Sequence, residues 1–467
     1  MDMSLQASNY RPETAIDEIA DFIADPVRPA EFPRTILRFR NDNAAATVGL
    51  DGLGDDQWIA HFGRFAPLPG SLKEPLALRY HGHQFRVYNP DLGDGRGFLF
   101  AQLRESESAG GRLLDLGTKG SGLTPYSRTA DGRLTLKGGV REILATEMLE
   151  ALGVTTSRSF SLIETGEALV RGDEPSPTRS AVLVRLGHGH IRIGSFQRLA
   201  FHDDQQSIAR LVDYCLKYLL EREPGANPTL TLFEAVVTRA ADLAASYMVA
   251  GFVHGVLNSD NIAITAESFD YGPWRFTPHW SPGFTAAYFD QTGLYSFARQ
   301  AEAIHWNLAQ LAGSLQEQAG VEKLVEILRR FPFIYEERLI ARFLWRIGHD
   351  APDDAAARAF VESAVIALQG SDVLIDSFFF DARRGALTPD TYAGEAWDEV
   401  RAAMMPLSLR SGHLDHPYWS GECPCSMHID EVEAIWKRIN DDDDWQALHD
   451  KVAAVRMMGE AHRPPPY

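Results

Sequence analysis

Cysteine is scarce. The 467-residue chain has three, Cys215, Cys423 and Cys425. Three thiols cannot build a disulfide framework, so a reducing cytoplasm is the expected compartment. Long apolar runs are missing as well. None approaches the ~18 residues of a membrane-spanning helix. The acidic start MDMSLQASNYRPETAIDEIADFIADP has no signal-peptide apolar stretch, nor the Arg-rich, acid-poor pattern of a transit peptide. Positive charge is in deficit: 45 Lys and Arg face 64 Asp and Glu, for a formal net charge of −19. Nucleic acid and anionic membranes are gripped by clustered Lys and Arg, so neither is expected as a partner. A bound phosphate has to meet local positive charge that overrides the global field.

What is present fits a large soluble enzyme. Apolar residues make up 45% and charged residues 23%, an ordinary globular balance. Residues 1–75 read as an N-terminal extension, with a helix-like stretch at 15–24 and Pro-rich connections. Residues 76–200 are strand-rich: QFRVYN, GFLFAQLRE, RLLDLGTKG, SFSLIET and SAVLVRLG are short apolar runs bounded by turn residues. One helix interrupts them, GGVREILATEMLEALGV, with Ile143, Leu144, Met148, Leu149 and Leu152 at helical spacing and Gly153 as its stop. Residues 201–467 are mostly helical. This order predicts an α+β fold of two lobes, β-rich then helical, with extensions and a site in the cleft. The run DDDD at 441–444 reads as a solvated helix start, and the final RPPPY as a frayed tail or, less simply, a Pro-rich ligand.

The sharpest motif is HGVLNSDN, His254 to Asn261, followed by Asp270-Tyr271-Gly272. Its outer residues match a protein-kinase catalytic loop, H-R-D-x-x-x-x-N, and the later triplet matches D-F-G. The carbonyl of Asn261 and the carboxylate of Asp270 suit a hard cation such as Mg²⁺ beside phosphates. The kinase aspartate is replaced by Val256, which cannot accept a proton. Asp260, beside Asn261, is the candidate base instead. Asn258 and Ser259 read as turn residues bonding local backbone.

Other segments point the same way. GDGRG offers Gly93, Gly95 and Arg96 as a phosphate-facing turn, although most such turns are plain hairpins. Lys119 ends a strand and Glu142 follows 23 residues later on the predicted helix, as in the kinase ion pair. Arg185 and Arg192 flank a Gly/His turn, as exposed strand arginines or as a positive cleft wall. His413, His416, Cys423, Cys425 and His428 offer zinc-type ligands at a spacing that matches no established finger, so a turn-rich segment is the better reading.

The segments YHGHQF, NPDLGDGRG, KGSGLTPYSRTADGR, VREIL, VRLGHGHIRIGSFQ and FVHGVLNSDNIAITAESFDYGPWRF, spread over about residues 80–276, resemble the selenoprotein O (SelO) family of kinase-fold proteins. The resemblance implies a protein adenylyltransferase. It moves AMP from ATP to Ser, Thr or Tyr hydroxyls, with Mg²⁺ or Mn²⁺ and with ATP flipped so that its γ-phosphate points inward. It implies Lys119 and Glu142 as the ion pair and Lys119, Arg185 and Arg192 on the phosphates. It assigns Gly93, Gly95, Arg96, Asp131 and Gly132 to the nucleotide, Asn261 and Asp270 to the metal, and Asp260 as base. The chain departs from relatives at Gly138-Gly139, where a more helix-friendly pair is usual. It also ends EAHRPPPY, without the cysteine pair that some members carry, so redox control through such a pair is not expected. An ordinary kinase and a silent nucleotide-binding pseudokinase scaffold stand as the alternatives. Val256 weighs against the first, and the full Lys119, Glu142, Asn261 and Asp270 set against the second.

Overall fold

The computed structural model describes residues 9–172 and 174–462, so the RPPPY tail lies outside the described residues. The strands of the first half are β1 (Pro12–Glu13), β2 (Ala24–Pro26), β3 (Ile36–Arg40), β4 (Leu76–Leu78), β5 (Gly82–Gln84), β6 (Val87–Asn89), β7 (Leu99–Arg104), β8 (Leu113–Lys119), β9 (Leu134–Thr135), β10 (Arg158–Leu169) and β11 (Thr178–Gly187). Nine of them form one antiparallel, curled sheet in the order β2-β4-β7-β8-β11-β10-β3, with β1 on β7 and β9 on β11. β5 and β6 make a separate hairpin. Three strands from before residue 76 therefore belong to the same sheet as the strand-rich segment.

Both faces of the sheet are covered, which explains why its central strands read as continuous apolar runs. Side chains alternate between the two sides. Val182, Val184 and Leu186 join Trp58, Phe62 and Phe160 in one core, under helices α2 (Asp42–Thr47) and α3 (Asp55–Phe62). Ala181 and Leu183 join the other core, against α4 (Leu136–Ala151). The expected helix at 15–24 is shorter: a 3₁₀ turn at Ala15–Glu18, then α1 (Ala20–Ile23), then β2 from Ala24.

Helix α4 is the predicted one. The Thr135 hydroxyl caps it by accepting from Gly138 N at 3.1 Å. Gly153, at φ +73°, ends it. Ile143, Leu144, Met148 and Leu149 are all fully buried. Each such side chain is worth on the order of 1.5–3 kcal/mol over exposure, so packing rather than helix propensity holds α4. The glycine pair has a use here. A Cβ on Gly139 would lie 2.3 Å from Leu162 Cδ1, so its absence lets α4 settle onto β10.

The rest is helical: α5 (Ile193–Phe201), α6 (Gln205–Tyr214), α7 (Pro228–Ala250), α8 (Gln300–Ala319), α9 (Val321–Leu328), α10 (Phe331–Ile347), α11 (Asp354–Gln369), α12 (Ile375–Arg383), α13 (Glu395–Met404), α14 (Ile429–Asp442) and α15 (Gln446–His462). A small ribbon of β12 (Phe252–Val253) and β13 (Arg275–Phe276) follows α7. The acidic run at 441–444 is a helix junction rather than a helix start. It closes α14 with Asp443 in the left-handed region (φ +52°), and Asp444 Oδ1 accepts from Gln446 N at 3.0 Å before α15. No helix among the described residues is long and apolar enough to cross a membrane.

Candidate active site

The predicted Lys119–Glu142 pair is formed, and it has a third member. Lys119 is the last residue of the interior strand β8 and is 5% exposed, and Glu142 is 1% exposed. The Lys119 ammonium donates to Glu142 Oε1 and to Asp270 Oδ1, the latter at 2.5 Å. Asp270 sits in the left-handed region (φ +65°). Burial alone would raise its pKa, but Lys119, Arg185 and Arg96 hold the carboxyl well below the usual range, so it stays ionised.

Arg185, on β11, and Arg192, at the start of α5, are buried as well. Arg185 Nη1 lies 3.6 Å from Asp270 Oδ1. Arg192 donates to Asp260 O at 3.0 Å and to Asp94 Oδ1 at 3.1 Å. Its guanidinium lies against the rings of Tyr80 and Phe269, 4.3 and 4.9 Å from their centres. Arg185 Nε and Nη1 and Arg192 Nε have no hydrogen-bond acceptor among the described residues. Burying an unpaired guanidinium donor costs about 1–3 kcal/mol or more, so both arginines are poised for an anionic acceptor.

The HGVLNSDN loop is fixed from both ends. His254 is fully buried, takes Val256 N–H at Nδ1 (3.4 Å) and bonds Phe269 O through Nε2 (3.0 Å). Burial lowers its pKa, and this pattern is that of neutral imidazole donating from Nε2. The bond ties the loop to the residue before Asp270. Asn261 Nδ2 donates to Val256 O at 3.1 Å, which orients the amide and leaves its carbonyl oxygen outward from that bond. Asp260 is 7% exposed. Burial pushes its carboxyl up to about 6, and its Oδ1 has no partner among the described residues.

Asn258 and Ser259 serve structure, as their residue types suggest. Asn258 Oδ1 accepts from Phe85 N (3.0 Å) and from the Tyr295 hydroxyl (2.7 Å), and Ser259 Oγ from His83 N (2.7 Å). These bonds dock the β5–β6 hairpin on the loop. The YHGHQF segment carries part of the family resemblance but no site residue was assigned in it; the signal available was Gly82 between two histidines, a place where backbone approaches closely.

Gly93, Gly95 and Arg96 form a turn before β7. A Cβ on Gly93 would meet the Tyr126 ring at 2.3 Å, and one on Gly97 the Thr118 carbonyl at 1.9 Å, so the glycines allow close docking on the 118–127 segment. Arg96 is exposed beside Lys119. Gly132, at φ +70°, accepts from Gly122 N at 3.2 Å. Asp131 is not in the buried cluster. It is exposed, and Arg171 holds its carboxylate at 2.7 and 3.1 Å.

Arg96, Lys119 and Glu142 of this set face a cavity of about 560 Å³, which Tyr271 and Gly272 line just past Asp270. Arg96, Lys119, Arg133, Lys137, Arg141, Arg171 and Arg275 line it against Glu142, Glu174 and Glu433. In a chain of net charge −19 this is the local positive field that phosphates require. Arg141, Arg171 and Arg275 were not assigned to the site from sequence, because scattered arginines have no diagnostic spacing. The zinc-type set is not assembled: among the described residues no group of three or more His, Cys, Asp or Glu is placed to hold a metal. His428 instead pairs with Asp376 at 3.5 Å.

The family model of protein adenylyltransferase SelO matches residues 5–396, and the chain belongs to that family. The protein nucleotidyltransferase YdiU of Gloeobacter violaceus is 43% identical over 469 residues, covering 95% of this chain and 94% of its own. Proteins of the same name from Synechocystis and Synechococcus are 39% and 47% identical over 477 and 472 residues, covering 96% and 93% of this chain and 98% and 93% of theirs. The chain is an enzyme, a protein nucleotidyltransferase.

Proposed function

From that membership, we propose that the enzyme transfers AMP from ATP to Ser, Thr or Tyr hydroxyls of proteins, with the triphosphate pointing inward. The observation that carries this reading is the pair of buried arginines with unmet donors, Arg185 and Arg192, beside Lys119 and the ionised Asp270. Such donors gain most from a group of high negative charge, and the γ-phosphate is the most highly charged part of ATP. With that end held inward, the α-phosphate faces the opening where a protein hydroxyl arrives.

Each residue then has a task. Lys119, oriented by Glu142, and the two arginines bind the terminal phosphates. Gly93, Gly95 and Arg96 form a loop on the nucleotide, with Asp131 and Gly132 also beside it. Asp260 takes the proton of the hydroxyl as its oxygen bonds the α-phosphorus, the α–β phosphoanhydride bond breaks and diphosphate leaves; a base typically contributes ~10²–10⁴-fold. Mg²⁺ or Mn²⁺, when bound, would neutralise charge on the phosphates and align them for in-line attack. Asn261 and Asp270 fit such a cation: the Asn261 amide is pinned through its nitrogen, so its oxygen is presented, and Asp270 is kept ionised.

The same reading makes the molecule a kinase-like pair of lobes joined near residue 200, with β1–β3 counted in the first. It is supported by the Gly-rich turn, the strand-Lys to helix-Glu pair and the His254 to Phe269 tether occurring in kinase order. The free cysteines suit a reducing cytoplasm. The test uses ATP labelled at the α- or the γ-phosphate, incubated with enzyme, Mg²⁺ or Mn²⁺ and an acceptor protein. Label retained from the α-position alone is expected; retention from the γ-position alone would make the enzyme a kinase and overturn the reading.

A further inference from the structure

A second cavity, of about 300 Å³, shares no lining residue with the nucleotide cavity. It lies where β8, α7, α10, the connection after β11 and the 262–269 segment meet. Arg112, Arg239 and Arg338 line it, with His188, Thr155 and Thr265.

Two of its cations, Arg112 and Arg239, differ in how far they are paired. Asp242 is the acid of the lining, and both its oxygens are spent on Arg342, at 2.7 and 2.6 Å. Glu105 holds Arg112 through Nε and Nη2, at 2.8 and 3.1 Å, leaving Nη1. Arg239, half-buried on α7, forms no ion pair or side-chain hydrogen bond with a described residue. Burial and its neighbours Arg222 and Arg112 all disfavour its charge. His188 is kept neutral by burial and by Arg112 and Arg239, which push its pKa down to about 3. A partly desolvated guanidinium among like charges gains most from an oxyanion that bridges them. Thr265 accepts from Glu267 N at 3.4 Å, so its hydroxyl proton is available to such a ligand.

We propose that this cavity is a second site, for an oxyanion of phosphate or diphosphate size, gripped by Arg239 and Arg112 and distinct from the nucleotide cavity. Its position gives it leverage on the first site. Thr265 lies between Asn261 and Asp270, and His188 lies three residues past Arg185. The two segments are already zipped together, His188 N to Glu267 Oε2 at 2.7 Å and Ile264 N to Ile191 O at 2.9 Å. An anion seated between them braces the backbone that carries the phosphate- and metal-facing residues.

The experiment is calorimetric titration of the full-length enzyme, without divalent metal, with orthophosphate, inorganic diphosphate and a sugar phosphate. It compares wild type, Arg239→Glu and Arg96→Glu, the last altering only the nucleotide cavity. Binding is expected in wild type and in Arg96→Glu, weakened about tenfold or more in Arg239→Glu. Preference for the sugar phosphate would identify the ligand as a phosphorylated metabolite; preference for the inorganic ions, as free phosphate. If Arg239→Glu does not fold by circular dichroism, Arg239→Gln replaces it with the same expectation. Equal affinity in wild type and the Arg239 variant, loss confined to Arg96→Glu, or no binding by wild type at millimolar concentration overturns the proposal.

Discussion

A methyl group on Gly82 would sit 2.8 Å from Oδ1 of Asp260. The β5–β6 hairpin is therefore a template for the loop below it: His83 N and Phe85 N bond Ser259 and Asn258, and the bare backbone of Gly82 faces Asp260. Gly82→Ala is expected to displace the carboxylate and lower nucleotide transfer about tenfold or more, within the range a base contributes. ATP affinity is expected to stay within about twofold of wild type, because the phosphate-facing cations are untouched. Calorimetry and initial rates check this; an unchanged rate would remove Asp260 from the chemistry or the hairpin from its support.

Asp260 also makes a pH prediction. Burial raises its carboxyl from the usual 3.8 to about 6. As a base it works ionised, so kcat/KM is expected to rise with pH through about 6. Stability runs the other way. The folded state holds this proton more tightly than the unfolded chain, so the contribution is complete below about 3.8 and is lost as pH rises through about 6. Asp260→Asn carries no charge to bury. It is expected to be inactive, yet more stable than wild type above pH 6 by up to about 3 kcal/mol, the gap closing toward pH 4. Urea unfolding at the two pH values measures it.

Much of this was legible in the sequence, and the exceptions have physical causes. The interior strands and α4 were read correctly because both are written in local apolar pattern. Lys119, Glu142, Arg185, Arg192, Asp260 and Asp270 do gather, although they come from separate segments; motif order carried that information. Helix α10 lies in the half read as mostly helical, but its own apolar period is broken by Arg342, 1% exposed and held by Asp242 and Gly153 O. α5 escaped because its first turn follows a strand-like HIRI. The hairpin's role depends on a contact between residues 82 and 260, and no local pattern reports such a contact.

Lys119 is central to the buried charge balance. Replacing it with Met leaves Glu142 and Asp270 facing each other without the ammonium that both accept from. Removing one partner of a buried pair costs about 3–5 kcal/mol, so a clear fall in Tm is expected along with loss of transfer. ATP binding is expected to weaken more than AMP binding, since the ammonium serves the terminal phosphates. Equal losses for the two nucleotides would count against the inward pose. Asp270→Ala is expected to abolish metal-dependent transfer, and transfer at the wild-type rate would show that the metal assignment is wrong.

The last helix reaches back to the same machinery. Arg456 on α15 donates from Nε and Nη2 to both oxygens of Glu147 on α4, at 2.8 and 2.6 Å, and from Nη2 to Asn41 Oδ1 at 3.1 Å. Glu147 is 5% exposed and stands five residues past Glu142 on one helix, so this clamp fixes the helix that orients Lys119. Arg456 lies beyond residue 396, where the family match ends, and its partners Glu147 and Asn41 lie within it. Arg456→Ala leaves a buried carboxylate without its guanidinium and is expected to cost about 2–3 kcal/mol, less than a fully enclosed pair because Arg456 is partly exposed. Burial already raises the Glu147 pKa, and losing Arg456, which lowers it, raises it further. The Arg456→Ala defect is therefore expected to shrink as pH falls and the carboxyl takes up a proton. Glu147→Gln in the Arg456→Ala background is expected to restore part of the stability, because the uncompensated charge is gone. Urea unfolding of the four members of that double-mutant cycle gives the coupling directly. A coupling near zero would mean that α15 covers α4 without holding it.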